Sequence, residues 1–281
     1  MKTLLTMCLG LFAWMVLLPA LAGEMGGMMT GTTTQPATQP AKINVAVEKT
    51  SGGDLTIQPI NRSSVRFEFK GKQYYVDPSG EADWDKMPKA DFIFVTHEHG
   101  DHLDLAVIDK IKKDGTVVYT SAASLKKING ERPTTAPSAF SSKKATTERP
   151  EFTLIAVGET KKIGGITLEA VPAYNVSEER KNFHSKDRKD NGYVLTFGDK
   201  RVYVAGDTEE TPEMKALKKI DIAFLPCDPR YTMSTKEAAQ AARTLKPKIF
   251  YPYHQGPSDP NEVKKLLANE KGIEVRVYSL P

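Results

Sequence analysis

The feature that most constrains this chain is a dense cluster of imidazole and carboxylate side chains, His97-Glu98-His99-Gly100-Asp101-His102. The chain has 281 residues but only five histidines, and three of them lie in this segment. The cluster directly follows a continuous apolar run at residues 91–96, which is typical of a strand buried on both faces. Loops at the carboxyl ends of such strands commonly carry ligand-binding groups. Because imidazole and carboxylate groups suit zinc, iron or manganese, the segment predicts a metal site.

The alternative interpretation of the cluster is a solvated loop or the start of a helix. It would explain Asp101 as a helix N-cap. It does not explain three histidines so close together in a protein that has few of them. The metal-site interpretation is therefore preferred.

Composition excludes several other classes of protein. Two cysteines are too few for a disulfide-stapled scaffold or a cysteine-built zinc ribbon. The net charge of +4 is small, and basic and acidic residues are interspersed, which argues against a dedicated nucleic-acid-binding module. A hydrophobic content of 40% is ample for a large core. The sequence carries no signal for an oligomeric state.

The first residues have the layout of an export signal. Lys2 precedes a long apolar run that ends in Pro19 and the small-residue triplet Ala20-Leu21-Ala22. This pattern predicts a signal peptide at residues 1–22 and a periplasmic or extracellular location. An uncleaved membrane anchor is the alternative, since about 20 apolar residues could cross a bilayer. Once the signal is cleaved, no membrane span is expected.

Two segments have low-complexity composition. Residues 23–43 are rich in Thr, Pro and Gln and predict a flexible linker. Residues 131–150 have the same character and predict a long surface loop, because regular elements are expected on both sides. The remaining chain, residues 44–281, is expected to form a single domain around this loop.

The domain alternates strands and helices. A hairpin is predicted at 65–76, and Ser234 with Glu237 has the spacing of a helix capping box. Thr211-Pro212 and Asp259-Pro260 predict two further helix starts, the second helix ending at Gly272. Further helices are expected at about 104–113 and from 124, and further strands at 91–96, 117–119, 153–157, 166–171, 193–197, 201–205, 222–225, 249–251 and 274–278. Hairpin meanders covered by helices in each half suggest a helix–sheet–sheet–helix sandwich.

The histidine cluster resembles the H-x-H-x-D-H signature of the metallo-β-lactamase-fold hydrolases. Other motifs of that family occur in the same order across residues 55–281. Asp77 matches a buried aspartate that braces the metal loop, Ala205-Gly206-Asp207-Thr208 matches the motif with a bridging carboxylate, and Tyr251-Pro252-Tyr253-His254 matches the last histidine motif. The resemblance implies an α/β (α+β) fold, the four-layer αβ/βα metallo-β-lactamase sandwich.

Several short strings are similar to the UlaG-like subgroup, which includes ascorbate-phosphate lactonases. They include Pro172-Ala173-Tyr174-Asn175 and Tyr231-Thr232-Met233. Three positions depart from the family pattern. Asn175 and Arg62 stand where many members have histidines, and Asp228-Pro229-Arg230 stands where glycines are common.

The resemblance implies two divalent metal ions, with zinc expected and manganese or iron as alternatives. One ion would take His97, His99 and His184, the last replacing the histidine missing at Asn175. The other would take Asp101, His102 and His254, with Asp207 as the bridging ligand. Without the family, His184 would be read as a solvated loop histidine, Asp207 as a turn cap and His254 as a half-buried histidine.

The family implies a hydrolase in which a hydroxide shared by the metals attacks an ester, lactone, phosphodiester or amide bond of a small molecule. Asp101 would hold this hydroxide and pass its proton to the leaving group. Tyr231, Thr232 and Met233 are candidate substrate-binding residues by position. The basic residues around His184 predict either attraction of an anionic substrate or only a solvated loop; they are Lys181, Lys186, Arg188 and Lys189.

Two other function classes stay open. A diiron redox protein of the same fold would usually have a carboxylate in place of His99 and an accompanying flavin domain. A non-catalytic metal- or ligand-binding envelope protein would keep the metal site without turnover. Fold alone does not decide among these.

Overall fold

The computed structural model of the protein describes residues 45–131 and 150–280. The predicted signal peptide (1–22) and linker (23–43) lie outside these residues, as does the predicted loop (131–150) except for its two ends. Within the described ranges, no helix is long and apolar enough to cross a bilayer.

The first half of the chain forms a seven-stranded sheet whose strands lie side by side in chain order. The first four strands are an antiparallel meander and the last four run parallel. Two helices, α1 (Leu105–Ile111) and α2 (Ala122–Glu131), lie in the parallel connections. The strands are β1 (Ala46–Thr50), β2 (Gly53–Pro59), β3 (Val65–Phe69), β4 (Lys72–Val76), β5 (Phe92–Val95), β6 (Val117–Thr120) and β7 (Glu151–Leu154).

The second half repeats this scheme in a second seven-stranded sheet. Again an antiparallel meander comes first and parallel strands follow. Its strands are β8 (Thr160–Ile163), β9 (Ile166–Ala173), β10 (Asp190–Phe197), β11 (Lys200–Val204), β12 (Ile222–Pro226), β13 (Ile249–Tyr253) and β14 (Glu274–Val275). The helices between the parallel strands are α3 (Pro212–Ala216), α4 (Thr235–Leu245) and α5 (Pro260–Leu266).

The main core lies between the two sheets. Phe67 of the first sheet packs against Phe197 and Phe224 of the second, with ring centroids 5.4 and 6.1 Å apart. Two smaller cores lie on the outer faces, where Ile108 of α1 and Ala238 of α4 are fully buried. The layers are therefore helix, sheet, sheet and helix, which confirms the predicted αβ/βα sandwich.

Local sequence signals account for several element boundaries. The predicted hairpin is β3–β4, and its turn places Lys70 and Gly71 in the left-handed region with φ of 50° and 72°. The Ser234–Glu237 capping box begins α4, and Thr211 caps α3 with Pro212 as its first residue. Both helix starts are as predicted.

Other boundaries differ from the prediction. The last helix ends at Leu266 instead of reaching Gly272, because short-range bonds such as Glu270 N to Leu267 O (2.9 Å) replace the helical pattern. The final strand, expected at 274–278, is only Glu274–Val275 at the sheet edge. The edge strand β8 has the sequence TKKI and was not predicted, because its polar and charged residues lack the apolar alternation of a half-buried strand.

Candidate metal centre

The predicted metal ligands follow strands that end at the same edge of the sandwich. The histidine cluster follows β5, Asp207 follows β11 and His254 follows β13. A hydrogen bond from Asn191 N to Thr96 O (3.0 Å) joins the two sheets next to the cluster. Since parallel strands place their carboxyl ends at one edge, residues far apart in sequence converge there.

Three histidines form the first donor group. His97 Nε2 lies 3.2 Å from His99 Nδ1, and the His184 ring centroid lies 5.1 and 4.9 Å from the His97 and His99 rings. One ring nitrogen of each lies within 4.8 Å of the other two. His97 and His184 are buried. This is the ligand set that the resemblance implies for one metal ion.

The second donor group combines a carboxylate and two histidines. His254 Nε2 lies 3.1 Å from Asp101 Oδ2, and His102 Nε2 lies 4.0 Å from the same oxygen. The His102 and His254 rings stack with centroids 5.0 Å apart. These three residues are the set implied for the other ion.

Asp207 lies between the two groups. Its Oδ2 is 3.4 Å from His184 Nε2, and its Oδ1 is 3.4 Å from His102 Nε2 and 3.5 Å from His254 Nε2. One carboxylate oxygen therefore faces each group. The preceding Gly206 has φ of 67°, and a Cβ there would lie 3.0 Å from Asn191 O, so this turn favours glycine.

The donor atoms are arranged for a cation. His102 Nε2 and Asp207 Oδ1 are buried, and neither has a hydrogen-bond partner among the described residues. Buried polar atoms are normally satisfied. Because the converging atoms are imidazole nitrogens and carboxylate oxygens, a divalent metal fits them.

Asp77 supports the cluster from behind. It is fully buried and accepts hydrogen bonds from Thr96 N (2.7 Å), Thr96 Oγ1 (2.7 Å) and His102 Nδ1 (2.8 Å). These are the contacts expected of the buried aspartate that supports the histidine loop. A carboxylate on Nδ1 orients the imidazole and leaves Nε2 for a metal.

The charges of the metal-free site are strongly coupled. Burial opposes protonation of His102, but the carboxylates of Asp207 and Asp77 outweigh it and raise its pKa well above the usual value. Burial also opposes ionisation of Asp207, yet His254 and His102 hold its pKa well below the usual range. Burial and the neighbouring His102 charge lower the pKa of His97. Asp207 is therefore ionised and His97 neutral, which are the forms that bind metals.

The loop that carries His184 is held by Asn175 and Glu209. Asn175 N donates to His184 O (2.7 Å), and Asn175 Nδ2 donates to Tyr231 O (2.7 Å). Glu209 accepts from Val176 N (2.7 Å) and from the backbone N of the next residue (2.6 Å). Asn175 thus stabilises the loop, while His184 joins the donor group. The support by Glu209 was not predicted, because nothing in the local sequence links it to residues more than thirty positions away.

The basic residues around His184 are mostly paired. Lys186 Nζ lies 3.1 Å from Glu213, and Arg188 lies 2.8 Å from Glu98 and 2.7 Å from Asp190. Lys181 also contacts a neighbouring glutamate. For the two lysines this favours the solvated-loop interpretation over attraction of an anionic substrate, whereas Arg188 is only 23% exposed and lies 3.3 Å from His99 Nε2 of the first donor group.

A cavity of about 420 Å³ opens over both donor groups. Its wall includes Tyr231, as predicted. Thr232 and Met233 do not line it, which differs from the prediction. The chain turns at Asp228, where Thr232 N and Oγ1 donate to Asp228 O (2.9 and 3.1 Å), and Met233 is buried in the core beneath α4. The other lining residues are Arg62, His99, Asp101, Phe183, His184, Asp207, Arg230 and His254.

Residues 65–255 match the family model described as the beta-lactamase superfamily domain. A UPF0173 metal-dependent hydrolase of Methanopyrus kandleri is 28% identical over 238 residues, which cover 79% of this chain and 94% of that protein. A UPF0173 metal-dependent hydrolase of Thermococcus onnurineus is 31% identical and covers 66% of this chain and 78% of the relative.

A solved structure shares the fold closely. A protein of Parabacteroides distasonis, assigned as a metal-dependent hydrolase, is 40% identical with a TM-score of 0.74, covering 85% of this chain and 100% of that one. The family match includes most strands of both sheets and every predicted metal ligand. The chain therefore belongs to the metal-dependent hydrolases of the metallo-β-lactamase superfamily.

Proposed function

We propose that the protein is an exported hydrolase of the UlaG-like subgroup with a binuclear metal centre. Its substrate is a small molecule with an ester, lactone, phosphodiester or amide bond. The observation that carries the binuclear proposal is the position of Asp207, whose Oδ2 lies 3.4 Å from His184 Nε2 and whose Oδ1 lies 3.4 Å from His102 Nε2. Export rests on the signal-like composition of residues 1–22.

The residues that would hold the ions are those of the two donor groups. His97, His99 and His184 would bind one ion. Asp101, His102 and His254 would bind the other, and Asp207 would bind both. Zinc is expected, since three or four nitrogen and oxygen donors per ion suit it. When bound, the ions supply Lewis acidity, which polarises the bond under attack and lowers the pKa of water.

Asp101 is the proposed proton carrier. Its carboxylate is about half exposed, with 47% of the side chain accessible, and it borders the cavity. His254 and His102 outweigh the effect of burial and lower its pKa, so it is ionised in the metal-free protein. The hydroxyls of Ser63 and Ser79 donate to its backbone carbonyl and fix the loop. As the proposed carrier, Asp101 would take the proton that the attacking water loses and deliver it to the leaving group.

The proposal is tested by metal analysis combined with a substrate panel. The purified protein is expected to contain about two ions per chain and to cleave at least one lactone, ester, amide or phosphodiester. His97→Ala together with Asp207→Ala is expected to abolish both. Full activity in a metal-free preparation would contradict the proposal. Full loading without any turnover would favour a binding protein, and an iron-type visible spectrum would favour a diiron redox protein.

Replacing His184 tests whether this residue is a metal ligand. His184→Ala should lower the metal content from about two ions to about one per chain, because it removes one of three nitrogens from the first donor group. The neighbouring Lys181→Ala is the matched control, since Lys181 contacts only Glu178 among the ion pairs of the described loop. An unchanged metal content in His184→Ala, measured on folded protein, would show that His184 is not a ligand.

A further inference from the structure

Two arginines share one buried carboxylate at the wall of the metal cavity. Arg62 Nη2 lies 2.9 Å from Asp228 Oδ2, and Arg230 Nη2 lies 3.0 Å from the same oxygen. Asp228 is fully buried, whereas 38% of the Arg62 side chain and 54% of the Arg230 side chain are exposed. These residues occupy two of the positions where the sequence departs from the family pattern. The two departures therefore meet in space as one cluster.

Arg230 alone makes hydrogen bonds to both carboxylate oxygens of Asp228. In addition to the Nη2 contact, Arg230 N and Nε donate to Asp228 Oδ1 at 3.1 and 3.2 Å. Both carboxylate oxygens are thus bound by one arginine, a bidentate arrangement that neutralises the charge. Burial opposes ionisation of Asp228, but these bonds lower its pKa. The positive charge of Arg62 is therefore not needed to neutralise Asp228.

Arg62 has free donors. Its one side-chain hydrogen bond among the described residues is the Nη2 contact with Asp228, which leaves Nη1 unpaired; Nε is also unpaired but buried, so a ligand would contact the terminal nitrogens. A guanidinium carries five N–H donors in a planar fork that matches carboxylate and phosphate oxygens. Asp228 holds this fork at the cavity wall while most of its donors stay available. An unsatisfied cation held in place in this way is suited to bind an oxyanion.

The rest of the cavity fits a molecule with an apolar part. Phe183 and Tyr231 line the same cavity and pack edge to face with ring centroids 5.1 Å apart. Their exposed fractions are 42% and 37%, so both rings are accessible. The carboxylates in the lining, Asp101 and Asp207, face His254 and His102 at 3.1 and 3.4 Å in the metal-free protein, and bound cations would offset their charge in the loaded protein.

We propose that Arg62 is a specificity-determining residue that binds a carboxylate or phosphate group of the substrate beside the bond to be cleaved. The proposal rests on the hydrolase function above and assigns its substrate class, a small molecule with an oxyanion and an apolar body. Arg230 and Asp228 are positioning residues that hold the Arg62 guanidinium. No arginine or lysine other than Arg62 and Arg230 lines this cavity within the described residues, and the nearby Arg188, 3.3 Å from His99 Nε2, is paired with Glu98 and Asp190.

The test measures binding without turnover. Metal-free and zinc-loaded protein are titrated calorimetrically with phenyl phosphate, 3-phenylpropionate and the neutral 3-phenylpropionamide. At least one anion is expected to bind the metal-free protein about 10- to 100-fold more tightly than the amide, the range of a charge-assisted hydrogen bond. Arg62→Gln should remove this preference. The anion that is preferred identifies the oxyanion as phosphate or carboxylate.

The matched control is Arg243→Gln. Arg243 lies on α4 and bonds Glu270 (2.8 Å) and Leu266 O (2.8 Å), outside the cavity lining, so the same chemical change should leave all three affinities within about twofold. Arg62→Lys is the second variant. It keeps the charge but loses the planar fork, and it should lose part of the preference. The Arg62 carbonyl that accepts from His254 N (2.8 Å) is unaffected by either change, so the metal content should not fall.

Equal affinity for the anions and the amide in the unsubstituted protein would overturn the proposal. So would a folded Arg62→Gln or Arg62→Lys protein with the full preference. Both results are independent of hydrolysis. A protein that binds anions through Arg62 but hydrolyses nothing would overturn the proposed function and leave this binding role intact.

Discussion

Asp207→Asn is expected to reduce turnover by roughly 10³-fold and to leave at most about one metal ion per chain. The carboxylate has one oxygen toward each donor group, at 3.4 Å from His102 Nε2 and 3.4 Å from His184 Nε2. An amide of the same size keeps one oxygen but turns N–H donors toward an imidazole nitrogen. Loss of Lewis acidity worth several kcal/mol corresponds to roughly a thousandfold in rate. Metal content and kcat/KM on the best panel substrate measure the effect.

The control for this change is Asp221→Asn. Asp221 also lies next to a strand of the second sheet, but it accepts from Arg201 N (3.0 Å) and pairs with Lys248 (2.8 Å) instead of facing the donor groups. It should change neither metal content nor rate. An Asp207→Asn protein with about two ions and unchanged kcat/KM would exclude Asp207 as the bridging ligand.

Asp77→Ala is expected to destabilise the metal-free protein by several kcal/mol. It removes the acceptor of three buried donors, Thr96 N, Thr96 Oγ1 and His102 Nδ1. Each donor left unsatisfied costs about 1–3 kcal/mol. Asp77 also has φ of 47°, a conformation that alanine tolerates less well than aspartate or asparagine. The loss is large against a typical total stability of about 5–15 kcal/mol, and a urea titration measures it.

Asp77→Asn separates the structural role from the metal role. Asparagine tolerates the left-handed backbone and keeps one acceptor, so the loss of stability should be smaller. Its amide group, however, would donate to His102 Nδ1 and move the ring proton to Nε2, the atom that faces Asp207. Metal affinity should then fall by about 10- to 100-fold. Wild-type affinity in a folded Asp77→Asn protein would contradict the bracing role.

The sequence signal for the site is strongest where its residues are close in sequence. The segment from His97 to His102 supplies four donors from one loop, so its spacing alone indicated a metal site. Helix starts such as Ser234 were predictable for the same reason, since a cap involves residues three positions apart. Met233 shows that closeness in sequence to a cavity residue does not by itself predict that a side chain lines the cavity. It lies two positions after Tyr231, but the turn at Asp228 exposes Tyr231 to the cavity and Met233 is buried.

The sequence by itself indicated the sandwich and a metal site at His97–His102, because periodicity, caps and a dense motif are local properties of the chain; His184, Asp207 and His254 became candidates only through the family resemblance. The tertiary structure alone shows the distances between the candidate donors and which charged residues line the cavity. His254 meets Asp101 across 153 positions, and Arg62 meets Asp228 across 166. Contacts at that separation depend on how the two sheets pack and on which strand ends meet at one edge. Local patterns carry no information about that packing, so the arginine cluster is visible only in the folded chain.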